Sequence, residues 1–138
     1  MNKILAAVLL LVSSTSYSAD MTMGIRRVVD GDTISSVIDL PCPLCLVSVR
    51  IIGIDTPEST HSAKCEKERL LGIAAKEFTK SLAGNAKTML VRDIKWDKYG
   101  GRINGRVEIN NVDIGYTLIK QGLARPYTGQ GPKSNWCS

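Results

Sequence analysis

Val28-Val29-Asp30-Gly31-Asp32-Thr33-Ile34-Ser35-Ser36-Val37-Ile38 decides the fold. Two stretches rich in β-branched residues flank an Asp-Gly pair, which tolerates the backbone of a tight hairpin, so two antiparallel strands are expected here. Residues 46–54 then have the apolar density of a third strand, with Val47, Val49, Ile51 and Gly53 on one face and Ser48, Arg50 and Ile52 on the other. Within residues 63–82, Leu70, Ala74, Phe78 and Leu82 recur at helical spacing, and Gly84-Asn85 ends the run, predicting one long helix. Residues 88–91 and 105–109 read as two more strands, separated by a polar, glycine-ended loop at 95–101. Asp113 can cap a short helix over 114–121, closed by Gly122, and residues 126–138 carry no regular pattern. Strand, strand, strand, long helix, strand, strand, short helix is the order of a five-stranded β-barrel of the oligonucleotide-binding type with helices packed on it, an α+β fold.

The first 18 residues read as a secretion signal: Lys3, an apolar run at 4–12, and small residues flanking a cut after Ser18. That run is shorter than the roughly 20 residues a bilayer span needs. The expectation is therefore one soluble domain, residues 19–138, exported to the periplasm or beyond, monomeric and without a membrane anchor after signal removal. The formal net charge is +5, one unit of it from Lys3. A basic surface permits a polyanionic partner and does not establish one. Four cysteines, Cys42, Cys45, Cys65 and Cys137, follow the signal, and export makes an even count read as disulfides. Of three possible pairings, Cys65–Cys137 is favoured because it ties the tail to the long helix, with Cys42–Cys45 as a local clip. The rival, a four-thiolate zinc site, lacks tight spacing in its second pair.

Three patches carry candidate chemistry. Asp32 at a strand start and Asp55 at a strand end can reach one rim of a barrel, and oxygen ligation completed by water suits a hard cation such as Ca²⁺ or Mg²⁺. Glu58 follows Pro57, which stiffens its approach, and a carboxylate there can take a proton from an attacking water. Arg50 and Arg102 supply planar, bidentate donors for the negative charge that builds up when a phosphodiester bond is cut. Taken singly, each motif reads as a turn, a helix cap or a surface arginine; together they specify metal-dependent phosphodiester cleavage.

The stretches VVDGDTI (28–34), VRIIGIDTPE (49–58), DKYGGR (97–102) and IKQGLA (119–124), in this order, resemble the staphylococcal nuclease (thermonuclease) family. The resemblance implies a five-stranded barrel with helices and a Ca²⁺ ion held by Asp32, Asp55 and the carbonyl of Thr56. It places the catalytic arginine, glutamate and arginine on Arg50, Glu58 and Arg102, and implies cleavage of DNA or RNA to leave 3′-phosphate ends. Lys98 and Tyr99 resemble contacts to a terminal phosphate, and Tyr127 a base-stacking ring. The third motif departs from the common pattern because Gly101 intervenes before the arginine. Placing the extra residue in the loop keeps Arg102 as the catalytic group, since Arg106 falls where a strand has begun. The insertion at Pro41-Cys42-Pro43-Leu44-Cys45 and the early end at Trp136-Cys137 are further departures. His61 is expected as an exposed loop residue and Trp96 as a loop anchor packed on the barrel. The rival from another class is a barrel of the same fold that binds nucleic acid or protein without cutting. Degeneration to such a module would first erase the acids or arginines, and all five are present.

Overall fold

Asp30 and Thr33 face each other across the first hairpin, so Gly31 and Asp32 form a two-residue turn between strands β1 (Met21–Asp30) and β2 (Thr33–Val37). The computed structural model describes residues 19–98 and 100–138, so the expected signal at 1–18 and the site residue Tyr99 lie outside the described residues. Strand β3 (Leu46–Ile51) pairs with β2, and the chain continues through β4 (Ile54–Asp55), α1 (Glu66–Ala83), β5 (Thr88–Trp96) and β6 (Arg102–Ile109). It ends with β7 (Val112–Asp113), α2 (Ile114–Lys120) and β8 (Arg125–Pro126). The sheet runs β3-β2-β1-β5-β6, and a parallel β3–β6 pairing closes it into the expected five-stranded barrel with one long and one short helix. A parallel pair needs a long connection, here one that contains α1 and β5.

Alternation sorts the side chains. Val47, Val49 and Ile51 of β3 and Ile103, Val107 and Ile109 of β6 point into the barrel, each at most 5% exposed. Burying each such side chain contributes about 1.5–3 kcal/mol. The opposite parity puts Ser48 and Arg50 of β3, and Arg102, Asn104 and Arg106 of β6, on the outer face. The β3–β6 register sets Ser48 beside Arg102 and Arg50 beside Asn104, which makes the two candidate arginines near neighbours.

Three features differ from the sequence expectation. The third strand breaks at Ile52-Gly53, where the chain turns so that β4 leaves the wall and pairs with β8. Strands β5 and β6 are longer and their loop shorter than expected, because charged outer-face pairs extend the ladder. Arg92 donates to Glu108 and to Asp20, both at 2.8 Å. The hydrogen bond that Arg92 donates to Glu108, reinforced by the charge of that carboxylate and by Asp20, holds Arg92 above the usual arginine pKa.

The third correction concerns α1. Leu70 and Ala74 of the expected apolar stripe are exposed and Phe78 and Leu82 are only half-buried, whereas Glu68, Gly72, Ala75, Thr79 and Ala83 form the buried face. Small residues are needed there because backbone, rather than side chains, lies against the helix. A Cβ on Gly31 would stand 2.8 Å from the Ala75 Cβ, and Thr79 Oγ1 donates to the Gly31 carbonyl at 2.7 Å. The hairpin turn is thus clamped to the helix.

Both expected disulfides form, Cys42–Cys45 and Cys65–Cys137, so all four cysteines are paired with one another rather than gathered as the thiolates a zinc site needs. Asp113 caps α2 by accepting from Tyr116 N–H at 2.9 Å, as expected. Among the described residues no helix is long and apolar enough to cross a membrane.

Candidate active site

The hairpin turn, β3 and the start of β6 meet at one rim. The β2–β3 register sets Thr33 opposite Arg50, which brings the guanidinium to the neighbouring Asp32. Arg50 Nη1 pairs with Asp32 Oδ2, and Thr33 Oγ1 donates to Asp32 Oδ1 at 3.0 Å. Asp32 is buried, so this pairing offsets the cost of its charge. Arg102 is braced in turn by Asp97, whose Oδ2 accepts from Nε at 2.9 Å and lies 2.7 Å from Nη2. The sequence reading gave Asp97 no role. Asp30, Asp32, Arg50, Thr56, Glu58, Arg102 and Lys133 line a single pocket of about 290 Å³. Residues that the chain separates by up to a hundred positions therefore share one solvent-facing hollow.

Asp55 sits next door, in a pocket of about 120 Å³ that shares Thr56, Glu58 and Lys133 with the first. Its side chain is 1% exposed. Oδ2 accepts from the Ser134 N–H at 3.1 Å and from the Trp136 indole N–H at 3.3 Å. Oδ1 is buried and, among the described residues, accepts no hydrogen bond. Leaving a buried carboxylate oxygen unmatched is costly, and a cation is the natural partner for it. No cluster of three His, Cys, Asp or Glu side chains stands ready for a metal among the described residues. A cation here would rely on Asp32, Asp55, a backbone carbonyl and water, an all-oxygen set that fits a hard ion such as Ca²⁺ rather than a soft one.

Glu58 is held from several sides. Glu68, buried in the first turn of α1, accepts from Lys64 N–H at 2.7 Å and makes a long contact with Glu58 N–H at 3.4 Å. Ser59 Oγ donates to Asp30 Oδ1 at 2.6 Å, tying the loop to the hairpin. Beneath it lies Gly72, where a Cβ would collide with the Glu58 carbonyl group and stand 2.6 Å from Ser59 N. The sequence reading missed both Glu68 and Gly72. Cys65-x-x-Glu68 is a capping-box spacing with cysteine at the cap, which was a usable signal for Glu68; a glycine inside a helix gave the hint for Gly72. Gly72→Ala is expected to cost about 1–2 kcal/mol net, because overpacking outweighs the roughly 1 kcal/mol gained in helix propensity. It should also lower the rate of any reaction using Glu58 by about tenfold or more through displacement of the loop. Urea unfolding and a cleavage assay check the two effects separately.

Tyr127 is half-buried, with its hydroxyl donating to the Gly131 carbonyl at 2.9 Å. With Lys95, Arg106 and both candidate arginines it lines a groove of about 640 Å³ that runs on from the first pocket. Lys98 is exposed in the turn after Asp97 and lines neither pocket nor groove. His61 is exposed, as expected. Trp96 departs from expectation: the residue expected as a packed anchor is 65% exposed at the end of β5, because the longer strand carries it past the barrel wall.

The rim can be compared with known proteins. Over 114 residues the chain is 37% identical to the thermonuclease of Staphylococcus intermedius, covering 82% of this chain and 63% of that protein. It is 33% identical over 101 residues to the endonuclease YncB of Bacillus subtilis, and 35% identical over 101 residues to the SPbeta prophage-derived endonuclease YokF of the same organism. Each of these two matches covers 72% of this chain, and they cover 44% and 32% of those proteins. The chain spans less than two thirds of the length of the curated relatives it matches. Residues 48–136, which hold Arg50, Asp55, Glu58 and Arg102, match the model of the family described as staphylococcal nuclease homologue, and to that family this chain belongs.

Proposed function

We propose that the chain is an exported, Ca²⁺-dependent endonuclease that hydrolyses phosphodiester bonds of DNA and RNA with little sequence preference and leaves 3′-phosphate ends. The convergence of Asp32, Arg50, Glu58 and Arg102, from four separate segments, on one pocket of about 290 Å³ carries this reading. The nuclease names of the relatives support it. Asp32, Asp55 and the Thr56 carbonyl would hold the ion, which supplies positive charge for the scissile phosphate and acidifies a water. Glu58 takes the proton of the attacking water. Arg50 and Arg102 donate to the phosphate oxygens as charge builds on them. The family resemblance assigns Lys98 and Tyr99 to a terminal phosphate, which Lys98 would reach from its turn outside the pocket and groove, and Tyr127 offers a ring to a base in the groove where Lys95 and Arg106 attract the strand.

Purified protein with Ca²⁺ is expected to nick and then degrade plasmid and a single-stranded RNA, and excess chelator to abolish both activities. Tight, chelator-resistant binding without cleavage would instead mark a non-catalytic barrel. Intact-mass measurement of the exported protein is expected to show cleavage after Ser18.

A further inference from the structure

Among the described residues, the carboxylates and guanidinium groups of the 290 Å³ pocket come from the barrel and the loop after β4, while one cation arrives on the C-terminal tail. Lys133 Nζ donates to Glu58 Oε1 at 3.1 Å and lies 3.8 Å from Asp55 Oδ1. The second distance is a charge contact without a hydrogen bond, so Oδ1 feels a positive charge and still lacks a donor. The lysine backbone is placed by its neighbours: Ser134 N–H and the Trp136 indole grip the other oxygen of Asp55, and Cys137 is bonded to Cys65. Lys133 itself is 47% exposed, so its head can withdraw into solvent while its backbone stays put.

We propose that Lys133 is a resident cation of the active site: it neutralises Asp55 and Glu58 when no divalent ion is bound, and competes with that ion for Asp55, thereby setting its affinity. This rests on the nuclease reading above and adds to it a residue that acts before substrate arrives. An ammonium within about 4 Å of a ligand oxygen repels a divalent ion bound there, and the site is shielded enough for that repulsion to register. An ordinary surface ion pair would have no such effect, since its removal leaves nothing buried behind.

The two states give opposite signs, which a merely structural role of the tail does not. In calorimetric titration of the full mature chain with CaCl₂, Lys133→Met is expected to tighten Ca²⁺ binding about fivefold to tenfold. In chelator the same variant is expected to melt lower than the parent, and its stabilisation by saturating Ca²⁺ is expected to be larger. Lys133→Arg, which keeps the charge, is expected to stay within about twofold of the parent affinity. If Lys133→Met binds Ca²⁺ no more tightly than the parent, or melts lower by the same amount with and without Ca²⁺, the proposal fails while the nuclease reading stands. If the parent chain neither binds Ca²⁺ nor cuts plasmid, the nuclease reading fails and takes this one with it.

Discussion

Arg50→Lys is expected to slow plasmid cleavage by about 10²-fold or more while the melting temperature stays close to that of the parent. Arg50 has two duties that this substitution separates. Its charge balances Asp32, whose side chain is 4% exposed. Alanine would leave that buried carboxylate without its counter-ion and so mix a folding defect into the rate. Lysine retains the charge and loses the planar fork, and the fork is what a phosphoryl group developing charge on two oxygens needs. A parental rate for Arg50→Lys would remove bidentate contact from the mechanism. Glu58→Ala is expected to cost about 10²-fold, on the scale of a general base. Glu58→Gln serves as its companion, because it keeps an acceptor for Lys133 while abolishing basicity. If Gln cuts as fast as Glu, the side chain orders water and does not take the proton.

The second large effect is on stability. Cys137→Ser opens a bond that spans 72 positions, and loop-closure entropy puts its contribution at about 4 kcal/mol. For a domain of this size that corresponds to a fall in melting temperature on the order of 15 °C. Cys45→Ser opens the Cys42–Cys45 clip, with a separation of 3, and the same entropy argument gives about half as much. Scanning calorimetry of both variants under non-reducing conditions checks the ratio. Equal losses would show that local strain or packing, rather than closure of the long loop, dominates. Cys137→Ser also loosens the two N–H groups on Asp55, so its activity is expected to fall at temperatures where the barrel remains folded.

The barrel was readable because its signals are short-range. A hairpin turn, a two-residue alternation and an aspartate at a helix start each depend on neighbours within a few positions, and all three behave as expected. Alternation also placed Arg50 on the outer face. The inward face of α1 was misread for a definable reason. Hydropathy picks out Leu70 and Phe78, but the helix must admit the backbone of Gly31 and of Glu58, so Gly72 and Ala75 turn inward instead. A scale that rewards large apolar groups has no term for close backbone approach.

From the sequence alone came the five-stranded order, because residue type and local period fix what each segment can form, together with the two aspartates, the glutamate and the two arginines as candidate site residues and Cys65–Cys137 with Cys42–Cys45 as the favoured one of three pairings. Tertiary structure alone decided that Arg50 lies on Asp32, that Asp97 braces Arg102, and that the tail covers Asp55. It also decided that Lys133 stands between the carboxylates. Those contacts depend on strand register and on pairs up to 81 positions apart, and no local pattern encodes a meeting that exists only after the barrel has closed.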